Sequence, residues 1–118
     1  MKLENVAANY DRLAEWYDRG IQLVFEPMFN LSRLRQQTVC ALGDLRGARV
    51  LDIGCGTGLN LPLLVKQVGS SGEVVALDYS EGMLAQAANR VRRAGWENVT
   101  LVQGDAATLD TVEGAFDA

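Results

Sequence analysis

The sequence predicts an α/β domain built on a parallel sheet with flanking helices. Three observations lead there. Short apolar runs alternate with stretches of helical periodicity from Ala48 onward. Three glycines, Gly54, Gly56 and Gly58, stand at alternate positions after the first run, in "VLDIGCGTGLN". An aspartate marks each run: Asp52 just before the glycines, Asp78 after the second run and Asp105 after the third. Strands separated by helices imply right-handed crossovers and parallel pairing. Such sheets bind ligands at the carboxyl ends of their strands, where all of these residues fall.

The elements follow in order. "NVAANYDRLAEWYDRG" places Leu13, Trp16, Tyr17 and Gly20 at helical spacing and stops at a glycine. "IQLVFEP" is a connector broken by Pro27. "NLSRLRQQTVCALGDLRG" reads as a second helix, with Asn30 as cap, Leu31, Leu34, Thr38 and Leu42 along one face, and Gly43 near its end. "ARVLDIG" is a buried strand, and "LNLPLLVKQVG" a helix that tolerates Pro62 only near its first turn. "EVVALDYS" is the second strand. "SEGMLAQAANRVRRAG" is a helix capped by Ser80 and stopped by Gly95, with Leu84, Ala87, Ala88 and Val91 facing the core. "NVTLVQGD" is the third strand. A short helix is expected from Ala106 to Glu113, and "AFDA" reads as the start of a fourth strand.

Composition narrows the chemistry. At 118 residues the chain is one domain at most. Its 48% hydrophobic and 22% charged residues are those of an ordinary globular protein. The net charge of −4 argues against a nucleic-acid backbone as partner. No apolar run approaches the roughly 20 residues of a membrane span, and "MKLENVAANYDR" has no signal-peptide segment. A cytoplasmic location is expected. Cys40 and Cys55 match no metal-site spacing. Cys40 reads as a small buried hydrophobe in a helix, and Cys55 as a compact residue fitting a crowded turn. The chain has no histidine, which removes Ser-His-Asp and Cys-His catalysis. The "RVRR" run, Arg90 to Arg93, reads as a solvated helix face near a C-terminus.

The glycines choose among ligands. A dinucleotide fingerprint, G-x-G-x-x-G, would put its third glycine where Leu59 stands. A pyrophosphate also wants N–H groups and no neighbouring carboxylate, so Asp52 disfavours an NAD-dependent oxidoreductase. A ligand carrying an ammonium and a sulfonium gains from that aspartate, while its carboxylate could use the N–H groups of the turn and helix start. S-adenosylmethionine has those charges. Asp78 would accept from both ribose hydroxyls, as it would for NAD, and Asp105 would accept from the adenine amino group.

"VLDIGCGTG", "VVALDYSEGML" and "VTLVQGDA", in this order, resemble the consecutive cofactor motifs of class I S-adenosylmethionine-dependent methyltransferases. "NYDRLAEWYDRG" is similar to the opening helix of the ubiquinone/menaquinone-biosynthesis and phospholipid-methylating branches. The resemblance implies a Rossmann-like sheet, with residues 1–47 a helical segment on the lid and substrate side and 48–118 the cofactor-binding part. It places Gly54, Cys55, Gly56, Thr57 and Gly58 beside the methionine portion, with Asp52 near its amino group. Asp78 would hold the ribose, Tyr79 and Met83 would lie against the adenine, and Asp105 with Ala106 would bind its edge. Tyr17 or Tyr10 would close over the site. Read from the residues alone, those tyrosines and Trp16 are plain helix packing, and Met83 is equally a core residue.

The implied activity is methyl transfer to a small-molecule or lipid-like acceptor, giving S-adenosylhomocysteine. A non-catalytic S-adenosylmethionine-binding module is the rival reading. A whole domain of this class has seven strands ordered 3-2-1-4-5-7-6, and this sequence reaches only the start of the fourth. Strand one would then be an open apolar edge, prone to pair with another chain. A fragment, a homodimer completing its sheets through that edge, or a natural half-domain would each fit. The segment that supplies substrate contacts and any base in this class follows strand four, so the sequence names no catalytic residue.

Overall fold

Three parallel strands carry the structure, a computed structural model that describes residues 31–107, 109 and 112–118. The expectations for Tyr10, Leu13, Trp16, Tyr17, Pro27 and Asn30 lie outside the described residues. Strand β1 (Arg49–Ile53) pairs with β2 (Glu73–Asp78), and β2 with β3 (Val99–Gln103), in the order β1-β2-β3. The register sets Asp52 opposite Ala76 and Asp78 opposite Gln103. Paired residues of a parallel sheet share a face, and alternate residues return to it. Val50, Asp52, Val74, Ala76, Asp78, Val99 and Leu101 therefore lie on one side. That face is apolar through most of its length and turns acidic at the carboxyl ends of β1 and β2.

Helices cover that face. Helix α2 (Leu61–Val68) follows β1 and buries Leu61, Leu64 and Val68 against Val50, Val74 and Ala76. Pro62 sits in its first turn, where its missing N–H leaves no helical bond unmade. Helix α3 (Glu81–Ala94) follows β2 and packs Leu84 and Val91 against the same cluster, together with Trp96, Val99 and Leu101. Ser80 caps it by accepting the Met83 N–H, and Gly95 ends it in the left-handed conformation at φ 72. Met83 is buried, at 2% exposure.

Helix α1 (Leu31–Cys40) is shorter than its periodicity suggests and presents a different face. Leu34 and Leu42 are 52% and 49% exposed, whereas Val39 is buried. Among the described residues, Val39 of the helix and Leu45 of the following connector join the core. Thr38, spaced with the leucines, bonds back through Oγ1 to the Leu34 carbonyl. Cys40 is exposed, contrary to the buried position expected from its helical setting.

The C-terminal stretch differs most from expectation. None of the described residues between 104 and 118 is helical. Leu109 takes φ 50 and Gly114 φ 87, outside the helical region, and residues 108, 110 and 111 of the expected helix lie outside the described residues. Isolated turns remain, with Leu109 N–H donating to the Asp105 carbonyl and Val112 N–H to that of Leu109. The last residues then run along β1. Asp117 N–H donates to the Arg49 carbonyl at 2.8 Å, Leu51 N–H to the Ala118 carbonyl at 3.0 Å, and Arg49 N–H to Asp117 Oδ2. Arg49 clamps the same stretch through its guanidinium. It donates to the carbonyls of Glu113 and Ala115, pairs with Glu73 at 3.1 Å and lies 4.2 Å from the Phe116 ring centroid. Residues 117 and 118 thus lie beside Arg49 and Leu51 of β1, where the start of a fourth strand is expected, while Ile53 at the end of β1 is half exposed.

Candidate cofactor site

The site is built where β1 turns into α2. Gly54, Gly56 and Gly58 all have positive φ, at 70, 58 and 87, a region that costs other residues energy. They do different jobs. Among the described residues, a Cβ added at Gly54 or Gly56 would meet nothing within 4 Å, so these two leave an open cradle. A Cβ at Gly58 would fall 2.8 Å from Leu61 Cδ1 and 3.4 Å from the Ala87 Cβ. Gly58 lets α2 and α3 close on the turn, and serves packing.

The turn's amides are largely spent within the protein. Gly54 and Cys55 N–H both donate to the Leu77 carbonyl, at 2.7 and 3.0 Å, and Gly58 N–H to that of Cys55. Gly56 N–H donates to Asp78 Oδ2 at 2.8 Å. The expectation that a ligand's carboxylate uses these amides is therefore corrected for four of the turn's residues. From α3, Arg90 Nε donates to the Thr57 carbonyl at 3.2 Å. Arg90 is half-buried and ties the helix to the loop, so the "RVRR" run is not wholly a solvated face. Only the tertiary fold brings Arg90 to Thr57, 33 residues away in sequence.

The acidic residues form the other wall. Asp78 Oδ1 accepts the Ser80 N–H at 2.9 Å while Oδ2 holds Gly56, so one carboxylate bridges the glycine turn and the α3 cap. Each oxygen retains a second lone-pair direction for a ligand hydroxyl. Asp52 sits on the same face of the sheet, and its Oδ2 is buried with no hydrogen-bond partner. Burial pushes its pKa up to about 6, and the Asp78 charge adds to the rise. Cys55 is buried at 8% exposure, and burial with the two aspartates pushes its thiol up to about 12. It stays protonated and fills the turn, as its setting in the sequence suggests. Thr57, at 1% exposure, fills it likewise.

The rest of the predicted set is arranged around the sheet's carboxyl end. Tyr79 follows β2 and is 38% exposed, with its carbonyl receiving Gln103 Nε2. Asp105 follows β3, half-buried, and its Oδ1 accepts the Ala107 N–H at 2.8 Å. Ala106 is exposed beside it. Next to the glycine turn lies a cavity of about 130 Å³, lined by Arg35, Gly54, Cys55, Gly56, Thr57, Leu59 and Asn60. Arg35 comes from α1 and carries no signal in the sequence motifs.

Comparison with known families matches residues 50–118 to a methyltransferase domain. The chain belongs to that family. Among curated relatives, the demethylmenaquinone methyltransferase of Lactococcus lactis is 33% identical over 114 residues, covering 97% of this chain and 44% of the relative. That of Staphylococcus aureus is 35% identical over 97% of this chain and 46% of its own length. The chain thus spans less than half the length of these relatives. An Aquifex aeolicus SAM-dependent methyltransferase of known structure superposes with a TM-score of 0.56 at 35% identity, over 60% of this chain and 38% of that one. A complex of DhpI with SAH gives 0.59 at 27% identity, over 83% of this chain and 42% of that one.

The residues of this methyltransferase domain fit such a cofactor. The cradle at Gly54 and Gly56 has room for a close-lying ligand. The orphaned Asp52 oxygen wants a cation or a donor, since a buried acceptor left unpaired costs about 1–3 kcal/mol. A second anionic group such as a pyrophosphate would aggravate that cost instead of relieving it.

Proposed function

We propose that this domain binds S-adenosylmethionine and serves the transfer of its methyl group to a small-molecule or lipid-like acceptor. The observation that carries the reading is the buried, unpartnered Asp52 Oδ2 beside an open glycine cradle. Asp52 lowers the energy of a positively charged ligand end held there. Asp78, already fixed by two backbone amides, is oriented to receive ribose hydroxyls without first losing rotamer freedom. Tyr79 offers an exposed ring to the adenine, with Asp105 and Ala106 at its edge. The acceptor class follows the demethylmenaquinone methyltransferases that the chain resembles along nearly its whole length.

When bound, the cofactor supplies an electrophilic methyl on sulfur. The domain's own contribution is orientation and partial exclusion of water around that end. Cys55, held protonated, does not compete as a nucleophile for the methyl. A calorimetric titration of the 118-residue chain with S-adenosylhomocysteine, with NAD in parallel, tests the reading. Binding of S-adenosylhomocysteine alone is expected. A folded sample that prefers NAD overturns it.

A further inference from the structure

We propose that Arg90 of α3 is a positioning residue for the amino-acid end of the cofactor, acting through the Thr57 carbonyl of the glycine turn. This role rests on the cofactor reading above. Glycines at positive φ are free to take many other conformations, so a turn built on three of them holds one shape only where something outside it does the holding. The near limb is held from β2, by the Leu77 carbonyl under Gly54 and Cys55 and by Asp78 on Gly56. The far limb, Thr57 and Gly58, is met instead by α3.

Two residues of α3, spaced three apart and so on one face of the helix, make that meeting. Ala87 presents its Cβ 3.4 Å from where a Cβ at Gly58 would stand, which leaves the backbone just room to pass. Arg90, half-buried, donates Nε to the Thr57 carbonyl at 3.2 Å. The same peptide unit carries the Gly58 N–H, which donates to the Cys55 carbonyl at 3.0 Å. Carbonyl and N–H of a trans peptide point opposite ways. The Thr57–Gly58 plane is thus held at both ends, and rotating it would break both bonds.

The bond to Arg90 is charge-assisted and reaches across the fold from a packed helix. It orders the turn before a ligand arrives, which reduces the ordering left to binding. Its influence is local. The open cradle at Gly54 and Gly56 belongs to this turn, beside Asp52, whereas the residues proposed for ribose and adenine follow β2 and β3. Arg90 therefore governs how well the amino-acid end is received and leaves the nucleoside end alone.

The test compares S-adenosylhomocysteine with methylthioadenosine, which keeps the nucleoside and sulfur but lacks the amino-acid end, by calorimetry on the full chain. Wild type is expected to prefer S-adenosylhomocysteine by at least about tenfold. Arg90→Met, an unbranched stem without donors, is expected to lose about tenfold in affinity for S-adenosylhomocysteine and to bind methylthioadenosine as before. Arg90→Lys restores a charged donor and is expected to lose only about threefold; where Arg90→Met does not fold, this variant carries the comparison. A wild-type preference in whichever variants fold overturns the role of Arg90 and leaves the cofactor reading intact. So does an equal loss for both ligands, which would mark Arg90 as a structural tie, and so does a wild type without preference. Wild type that binds neither ligand overturns the cofactor reading itself, and the positioning role with it.

Discussion

On the proposed function, Asp52 ties the protonation of the domain to its ligand. Its pKa is pushed from 3.8 to about 6, chiefly by burial. The folded chain therefore holds this proton to higher pH than the unfolded chain does. Stability from this group is full below pH ~4 and is lost as the pH rises to about 6. At about 1.4 kcal/mol per unit the loss is at most roughly 3 kcal/mol, and partial hydration reduces it. Asp52→Asn is expected to remove this decline, so that the variant gains about 1–2 kcal/mol over wild type at pH 7.5 and about a third of that at pH 4.5. Urea denaturation at the two values measures it. The same substitution is expected to weaken S-adenosylhomocysteine binding about tenfold at pH 7.5, through loss of a charge-assisted partner. A variant gaining stability while losing affinity would mark the aspartate as a group maintained for the ligand against the interest of the fold.

At the scale of elements, the glycine turn separates two requirements that look identical in sequence. Gly54→Ala meets open space and pays only for its positive φ, about 1 kcal/mol. Gly58→Ala pays the same and also forces Leu61 away from a 2.8 Å contact, for a total of about 2–3 kcal/mol. Chemical denaturation of the two variants is expected to show that order. The distinction explains what the sequence could reveal. The alternation of apolar runs and helical periods gave the three strands, α2 and α3, because Ser80, Gly95 and Pro62 act locally. The face of α1 was misread because Leu34, Thr38 and Leu42 form a convincing stripe, yet the helix meets the core through Val39. Arg90's bond to the turn was invisible, since what recruits it is a loop from another element. The spent amides were equally hidden. They depend on where the Leu77 carbonyl lies, and that is a matter of strand pairing.

Over the whole molecule, the tail and β1 form one unit through Arg49. This side chain spans Glu73 on β2 and the carbonyls of Glu113 and Ala115, while its backbone receives Asp117. Arg49→Ala is expected to release residues 113–118 and bare the edge of β1. Amide exchange at Leu51 and Asp117 would then quicken, by hydrogen-exchange mass spectrometry. Self-association would rise with concentration in sedimentation, as an uncovered strand edge recruits partners. The acidic carboxyl end of the sheet lies on the face that α2 and α3 cover, so loss of the tail perturbs the edge before it reaches the ligand side.

The two hydrogen bonds that Gly54 and Cys55 N–H donate to the Leu77 carbonyl bear on how the domain matures. Sliding β2 by one residue along β1 would put a different carbonyl under the turn and carry Asp78 to the opposite face. Gly56 and Ser80 would lose their shared anchor in the same move. The binding turn is thus a gauge of correct strand alignment. A ligand that requires it would stabilise the aligned sheet over every slipped alternative, and so act on the chain as a folding template.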